Sequence, residues 1–266
     1  MVGARTGAWT KSGSPTPAAY DGLRFTAESV NSSVQLTAVG SAPAVTLIKS
    51  FDGVNWEDYT VGEVIELPSI GDSIYIAAGE SGNNTFGSSS SDYHTFVING
   101  LVAASGDITS LRSFDLEQTT LANFCYRNMF HGCTGLTSAP ELPATTLAAS
   151  CYQYMFYGCT GLTSAPELHA TTLANFCYRY MFYGCTGLTS APELPATSLK
   201  TNCYLQMFSG CTQLSLIKVH FTAWGTQTSA WVSNVPSTGT FYKPSALPDE
   251  FSTDRIPTGW NVVNID

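Results

Sequence analysis

Apolar and polar residues alternate with a period of two through residues 23–100, and turn signals interrupt the alternation. The apolar members on one side of the chain are Leu23, Phe25 and Ala27, then Val34, Leu36 and Ala38, then Ile74 and Ile76, then Phe96 and Ile98. Side chains of a β-strand point alternately to opposite faces, so this pattern predicts half-buried strands. About seven short strands, joined by turns such as Asp52 and Gly53, predict an antiparallel sandwich of immunoglobulin-like type.

A second pattern begins at Leu121, where the sequence repeats itself every 26 residues. Units 121–146, 147–172 and 173–198 align without gaps, and a fourth unit starts at Leu199 and departs from the pattern at Ser215. Self-similarity at a fixed period is the signature of repeat units that stack and bury a shared core. An atypical last unit is what the end of such a stack requires.

Each unit is predicted to contain a short helix, a turn and a short rung. Leu121, Cys125 and Met129 are spaced four apart and would share one helical face, and Gly132 would end that helix in the left-handed conformation. Apolar residues at steps of three follow, and Pro140 keeps the rung short. Four rungs spaced about 4.8 Å apart would make a solenoid about 20 Å long.

The repeated motif, MF-x-G-C-T-x-L-T-S-A-P-E-L-P-A-T-T-L-A-x-x-C-Y, resembles the BspA-type surface leucine-rich repeat family of bacteria, including its gut-bacterial and prophage-encoded members. The resemblance covers residues 119 to about 214 and rests on Phe130, Gly132, Cys133, Leu136, Pro140, Leu142, Leu147 and Cys151, which recur in phase. It implies adhesion or surface recognition without catalysis. The expected fold class is mixed, with an N-terminal all-β immunoglobulin-like sandwich followed by a short leucine-rich-repeat α/β solenoid.

Charge divides the chain near residue 118, because residues 1–118 carry a net charge of −8 and residues 119–222 carry +1. We expect a flexible N-terminal arm at residues 1–20, a β-sandwich domain and connector at 21–118, the solenoid at 119–222 and a C-terminal cap at 223–266. The arm is either a disordered leader or an anchor that orders when it docks onto a larger assembly.

Composition excludes several classes of protein. Only 12% of the residues are charged, about half the usual fraction, so the surface must consist largely of Ser, Thr, Asn, Gly and Tyr. The net charge of −9 argues against nucleic acid as a partner. No apolar run reaches the ~18 residues of a membrane span, and the first residues lack the apolar stretch of a secretory signal. We therefore expect neither membrane insertion nor export by the general secretory route.

The eight cysteines fall into two columns, Cys125, Cys151, Cys177, Cys203 and Cys133, Cys159, Cys185, Cys211. Within a unit, the predicted helix would separate the two Cα atoms by about 12 Å, which is too far for a disulfide. Between stacked units, the Cβ atoms would lie about 5 Å apart, beyond the usual disulfide spacing. We expect free, buried thiols that pack as small hydrophobic groups. The sequence contains no C-x2-C pair, so it gives no indication of a zinc site.

A column of like charges is formed by Glu141, Glu167 and Glu193, one in each unit. Stacked carboxylates repel one another unless water or a cation screens them. The column is therefore either a cation-binding ladder or a solvated polar edge that discourages aggregation, and we favour the second interpretation.

Three positions vary between otherwise nearly identical units: Arg127/Gln153/Arg179/Leu205, Asn128/Tyr154/Tyr180/Gln206 and His131/Tyr157/Tyr183/Ser209. Variation on a repeated scaffold predicts that these side chains face outward. Tyrosine combines apolar area with a polar tip, so this surface would suit sugars or protein loops. The alternative is that these tyrosines only cover neighbouring rungs. The candidate ligand-binding residues are Tyr154, Tyr180, Tyr157, Tyr183, Arg127, Arg179 and His131.

Catalytic motifs are missing from the sequence. His131 and His169 stand at repeat positions where other units carry Tyr, Ser or Pro, which a catalytic group would not permit. The sequence contains no G-x-S-x-G, no H-E-x-x-H and no phosphate-binding glycine loop. We expect a recognition protein that is not an enzyme and that uses no cofactor.

Three settings fit such a protein. The favoured one is a bacteriophage virion component, a tail or head fibre that contacts other virion proteins through its arm and binds a bacterial surface polysaccharide or protein. Reduced cysteines and the missing export signal favour it over a BspA-type adhesin on the bacterial cell surface. The third is a purely structural capsid-decoration protein. The sequence leaves homo-oligomerisation open.

Overall fold

The protein is nearly all β in the computed structural model, which describes residues 20–116 and 118–266. Helical structure in these residues is limited to two short 3-10 segments, Ile108–Leu111 and Thr226–Thr228. None of the described residues forms an α-helix, so the predicted α/β leucine-rich-repeat solenoid is wrong. The predicted arm lies outside the described residues except for Tyr20.

The N-terminal part contains the strands β1 (Arg24–Ala27), β2 (Ser32–Val39), β3 (Leu47–Ser50), β4 (Glu57–Tyr59), β5 (Val64–Leu67), β6 (Ser73–Ala78), β7 (Tyr93–Asn99) and β8 (Val102–Ser105). One sheet has the order β4-β3-β6-β1-β8 and continues into β9 (Leu136–Ser138), and the other has the order β5-β2-β7. Inward-facing residues such as Phe25, Val34 and Phe96 are buried in one core.

The strand order of these sheets differs from that of an immunoglobulin sandwich. There the first strand lies at the edge of its sheet, whereas here β1 lies between β6 and β8, with Phe25 paired to Ile74 on one side and to Ala104 on the other. The immunoglobulin-like type of the prediction is therefore wrong as well, because alternation of apolar residues predicts strands but not the order in which they pair.

The first repeat unit continues directly from the N-terminal sheets. The strands β8 and β9 pair in parallel. Phe96 N–H donates to the carbonyl of Met129 at 2.7 Å, and Val102 N–H donates to that of Gly135 at 2.9 Å. One cluster of buried apolar residues runs from β1 through all the repeat units. The sheets therefore provide a rigid base on which the units stack.

Linked turns take the place of the predicted helix in each unit. Backbone N–H groups alternate between two acceptors: Cys125 donates to Ala122 of its own unit at 3.3 Å, and Tyr126 donates to Cys151 of the next unit at 2.8 Å. An α-helix would use every N–H group within itself. Half of the backbone donors of the segment are thus available to join neighbouring units.

Every fourth residue of the turn segment has a left-handed backbone conformation. In the first unit these are Phe124, Asn128 and Gly132, with φ angles of 58°, 59° and 74°. Apolar residues spaced a constant four apart would drift by about 40° per step around an α-helix, so they would not keep one face. In the ribbon of turns the period is four, and Leu121, Cys125 and Met129 all reach the core.

A fifth, divergent unit lies inside the segment predicted to be a cap. Phe208 N–H donates to the carbonyl of Trp231 at 2.8 Å, and Gly210 N–H donates to that of Ser233 at 2.8 Å. Ala230 and Asn234 have positive φ angles, as the corresponding residues of the other units do. The strands β10 (Leu216–Lys218), β11 (Thr240–Lys243) and β12 (Asn261–Asn264) form a parallel sheet beside it.

Columns of stacked aromatic rings fill the core of the repeat stack. One column consists of Phe96, Phe130, Phe156, Phe182 and Phe208, and the other of Phe86, Tyr126, Tyr152, Tyr178 and Tyr204. Trp231 of the fifth unit contacts the ends of both columns. Burial of each large ring contributes about 1.5–3 kcal/mol, so these columns stabilise the stack of units.

Candidate binding surface

The eight cysteines are free and buried. The thiols of Cys159 and Cys185 each donate to a phenylalanine carbonyl of the preceding unit, Phe130 and Phe156, at 3.0 Å. Burial raises the pKa of Cys133 and of Cys211 to about 12. Because a donating thiol carries its proton and a protonated thiol is a poor nucleophile, the cysteine columns have a structural role.

The glutamate column lies along two shallow grooves between neighbouring units. The grooves have volumes of about 490 Å³ and 470 Å³, and Pro166, Glu167 and His169 line both. Hydrogen bonds from Lys218 and His220, partly offset by desolvation, hold the pKa of Glu193 below its usual value. Glu193 is therefore paired within the chain. In residues 20–116 and 118–266, no three His, Cys, Asp or Glu side chains form a group suited to a metal ion.

The variable tyrosines form two columns of parallel rings. His131 stacks on Tyr157 with centroids 4.8 Å apart, and Tyr157 stacks on Tyr183 at 4.7 Å, with planes within 3° in both pairs. Tyr154 stacks on Tyr180 at 4.8 Å. Each ring covers a face of its neighbour, so the columns present mainly ring edges and hydroxyl groups. His131 is exposed, and the tyrosines are half-buried.

Two arginines lie against the shorter tyrosine column. The guanidinium of Arg127 is 5.1 Å from the ring centroid of Tyr154, and that of Arg179 is 5.0 Å from the centroid of Tyr180. Arg127 is only 9% exposed, and it donates through Nη1 to Oε1 of Gln153. This burial lowers the pKa of Arg127. The expectation that all variable positions face outward does not hold for Arg127, Asn128, Gln153 and Ser209, which are buried.

A chain of ring and guanidinium contacts brings all seven candidate residues together. Tyr154 contacts Tyr157 at 5.8 Å, and Tyr180 contacts Tyr183 at 5.8 Å, so the two columns are joined. We call this surface the tyrosine–arginine face: Arg127, His131, Tyr154, Tyr157, Arg179, Tyr180 and Tyr183. Gln153 was named among the variable positions but not among the candidate ligand-binding residues, and its amide oxygen accepts a hydrogen bond from Arg127.

Comparisons with known proteins give no information about the tyrosine–arginine face. No protein-family model matches the chain, and no curated protein or solved structure matches it either. The resemblance to the BspA-type family therefore stays a prediction from the motif. Within the described residues, no helix has the length and hydropathy needed to cross a membrane.

Proposed function

We propose that the protein is a non-enzymatic recognition protein that binds a polysaccharide of the bacterial surface through its tyrosine–arginine face. The observation that carries this proposal is the parallel stacking of the outer rings at 4.7–4.8 Å. Stacked side chains are already ordered before a ligand arrives, so binding costs less conformational entropy.

The chemistry of the face supports a sugar as the ligand. Tyr154, Tyr157, Tyr180 and Tyr183 each offer a phenol hydroxyl, which can donate and accept hydrogen bonds as sugar hydroxyls require. Ring edges supply apolar area next to these polar tips. Residues 119–222 carry a net charge of only +1, so the surface around the face is nearly neutral and rich in hydroxyl groups.

The setting we propose is a bacteriophage virion, in which the protein is a tail or head fibre component. Eight free, buried thiols support this setting over the bacterial cell surface, because virions assemble in the reducing cytosol. Peptide mass spectrometry on purified phage particles and on washed envelopes of the source culture tests it. Peptides from residues 25–112 are expected in the particles, and their confinement to envelopes would contradict a virion protein.

Binding to isolated bacterial envelope polysaccharides tests the recognition role. The double variant Tyr157→Ser, Tyr183→Ser is expected to lose at least tenfold in affinity, and serine fits the scaffold because Ser209 stands at the same column position in the fourth unit. The matched control is His169→Pro, since Pro143 and Pro195 occupy that position in neighbouring units. The control is expected to bind as the wild type does. Undiminished binding by the double variant would reject the proposal.

A further inference from the structure

Arg127 and Arg179 have more hydrogen-bond donors than residues 20–116 and 118–266 satisfy. Their Nε atoms are both buried without an acceptor, and Arg127 forms a side-chain hydrogen bond to Gln153. No carboxylate in the described part of the chain forms an ion pair with either guanidinium. The acidic residues of 119–222 are Glu141, Glu167 and Glu193, and Glu193 pairs elsewhere.

Arg127 is buried and Arg179 is partly buried, and a cation in such a place destabilises a fold unless a counter-ion or another group compensates for it. The rings of Tyr154 and Tyr180 compensate in part through cation–π contacts. These rings lie against the faces of the guanidinium groups, whereas the N–H groups point outward in the guanidinium plane and need other acceptors. The buried Nε atoms are closed to a ligand, so a ligand would bind the Nη atoms through oxygen acceptors in the guanidinium plane. Carboxylate and phosphate groups supply them in bidentate geometry.

The scaffold itself does not require arginine at this position. The same column contains Gln153 in the second unit and Leu205 in the fourth, and the backbone turns of those units repeat those of the others. The backbone of the repeat therefore does not by itself explain why the first and third units have arginine here. Groups that are kept at a cost to stability are typical of binding sites.

We propose that Arg127 and Arg179 bind the anionic groups of an acidic polysaccharide. This inference rests on the proposed function of the tyrosine–arginine face and specifies the class of its ligand. The two arginines are two units apart, about 10 Å at the usual spacing between paired strands, so they would contact anionic groups on alternate sugars of one chain. The rings of Tyr154 and Tyr180 lie beside the two guanidinium groups, and their phenol hydroxyls would bind the neutral sugar hydroxyls.

Titration calorimetry of the full chain with defined oligosaccharides tests the inference. The probes are a hexamer of galacturonic acid, its methyl ester, which has the same shape without charge, and an oligomer of glycerol phosphate. The wild type is expected to bind the acid at least tenfold more tightly than the ester, and to lose this preference at high salt. Tighter binding of the glycerol phosphate oligomer than of the ester would also support the inference and identify phosphate as the preferred anion.

Two substitutions of Arg179 by residues that other units have at this position distinguish an effect on ligand affinity from an effect on stability. Arg179→Gln and Arg179→Leu reproduce the residues of the second and fourth units, so each is expected to fold with a melting temperature no lower than that of the wild type. Each is also expected to reduce affinity for the acid at least tenfold and affinity for the ester by a clearly smaller factor. A clear drop in melting temperature in both variants would overturn the inference, because it would give Arg179 a structural role.

The remaining outcomes distinguish this inference from the proposal on which it rests. Equal binding of acid and ester by the wild type, with Tyr157→Ser, Tyr183→Ser still impaired on envelope polysaccharide, would overturn the acidic ligand and keep the face as a glycan site. Binding that neither the arginine nor the tyrosine variants change would overturn both. Tighter binding of oligoglutamate than of every saccharide would overturn the polysaccharide in favour of an acidic peptide.

Discussion

The ring of Phe156 lies parallel to the ring of Phe130, with 5.4 Å between centroids and 5° between planes, although the two residues are 26 positions apart in the chain. The backbone fixes this relationship, because Phe130 N–H donates to the carbonyl of Met155 at 2.9 Å. Each side chain therefore lies beside its counterpart in the next unit. The outer columns of the tyrosine–arginine face have the same register as the core.

Shortening Phe156 is expected to destabilise the whole stack. Phe156→Ala would remove a buried ring that contacts Phe130 and Phe182, at a cost of about 3–5 kcal/mol in the free energy of unfolding. Phe156→Leu keeps most of the volume and is expected to cost less. Urea unfolding followed by circular dichroism measures both. A loss below about 1 kcal/mol for the alanine variant would contradict the role of the aromatic column.

The backbone conformation at Gly158 predicts that asparagine destabilises the protein less than alanine does at this position. Gly158 has a φ of 70°, and the nearest atom to an added Cβ would be the Cα of Gly132 at 3.9 Å, so space is available. Gly158→Ala is expected to cost about 1 kcal/mol through conformation alone. Gly158→Asn should cost less, because Asn234 adopts a φ of 58° at the corresponding position. Equal stability of glycine and alanine in thermal unfolding would contradict the left-handed conformation.

Gly187 provides a contrasting case in which space is the limit. An added Cβ there would lie 2.7 Å from the carbonyl oxygen of Thr160 in the preceding unit. Gly187→Ala is therefore expected to push two units apart and to destabilise the protein more than Gly158→Ala does. Comparison of the two melting temperatures is the measurement. The reverse order would show that the units are not packed this closely.

The thiols are expected to be inert in the folded protein. Burial raises the pKa of Cys133 and of Cys211 to about 12, so at pH 8 almost no thiolate forms at these positions. Reaction with a coloured disulfide reagent should be very slow under native conditions and should reach eight thiols per chain after unfolding without a reductant. Fewer than eight reactive thiols in the unfolded chain would indicate disulfides.

Stability is expected to fall as the pH drops below about 6.5, in part because of His94. This ring is 2% exposed, and Nδ1 hydrogen-bonds to the carbonyl of Phe86 at 3.1 Å. Desolvation lowers the pKa of His94 below its ordinary value, so between the two values the unfolded chain binds a proton that the folded chain does not. The contribution of His94 to the free energy of unfolding is complete above the ordinary pKa of histidine. It declines as the pH falls towards the pKa of His94 in the folded protein.

The variant His94→Gln isolates this contribution from that of the carboxylates. Its free energy of unfolding, measured in urea at pH 7.5 and at pH 5.5, should depend less on pH than that of the wild type. The same dependence in both proteins would assign the effect to other groups.

Much of the repeat region could be predicted from the sequence, but its local structure could not. The period of 26 residues and the cysteine columns can be read directly from the sequence, and backbone hydrogen bonds join the units at that period. The helix was wrong because spacing of four residues resembles a helical period. Only Gly132 signalled a left-handed residue, whereas Phe124 and Asn128 adopt the same conformation without a sequence signal.

The ends of the molecule were harder to predict for a different reason. In the fifth unit, Trp231 and Val232 replace the Met-Phe pair, and Asn234 replaces glycine. The residue types therefore change, although the pattern of left-handed backbone conformations is kept. In the N-terminal sheets, long-range pairing places β1 in the interior. Alternation reports which face of a strand is buried and contains no information about its neighbours.

The tyrosine–arginine face shows why sequence variation between units is an imperfect guide to the exposure of a side chain. Asn128 stands at the same position as Tyr154 and Tyr180 and is buried, whereas Tyr154 and Tyr180 stack on each other and are half-buried. Arg127 is buried because Gln153 and Tyr154 cover it. A column tolerates variation when neighbouring members fit one another, and this condition can be met inside the fold as well as outside it.

Hydroxyl-radical footprinting with mass spectrometry, with and without bound envelope polysaccharide, tests the central claim most directly. It locates the contact surface on the unmodified full chain, and the exposed Phe251 and Ile70 serve as internal references away from the tyrosine–arginine face. The account predicts that oxidation falls at Tyr154, Tyr157, Tyr180 and Tyr183 and stays unchanged at the references. Protection at the references, with the four tyrosines oxidised as before, would contradict the claim that the protein binds through this face.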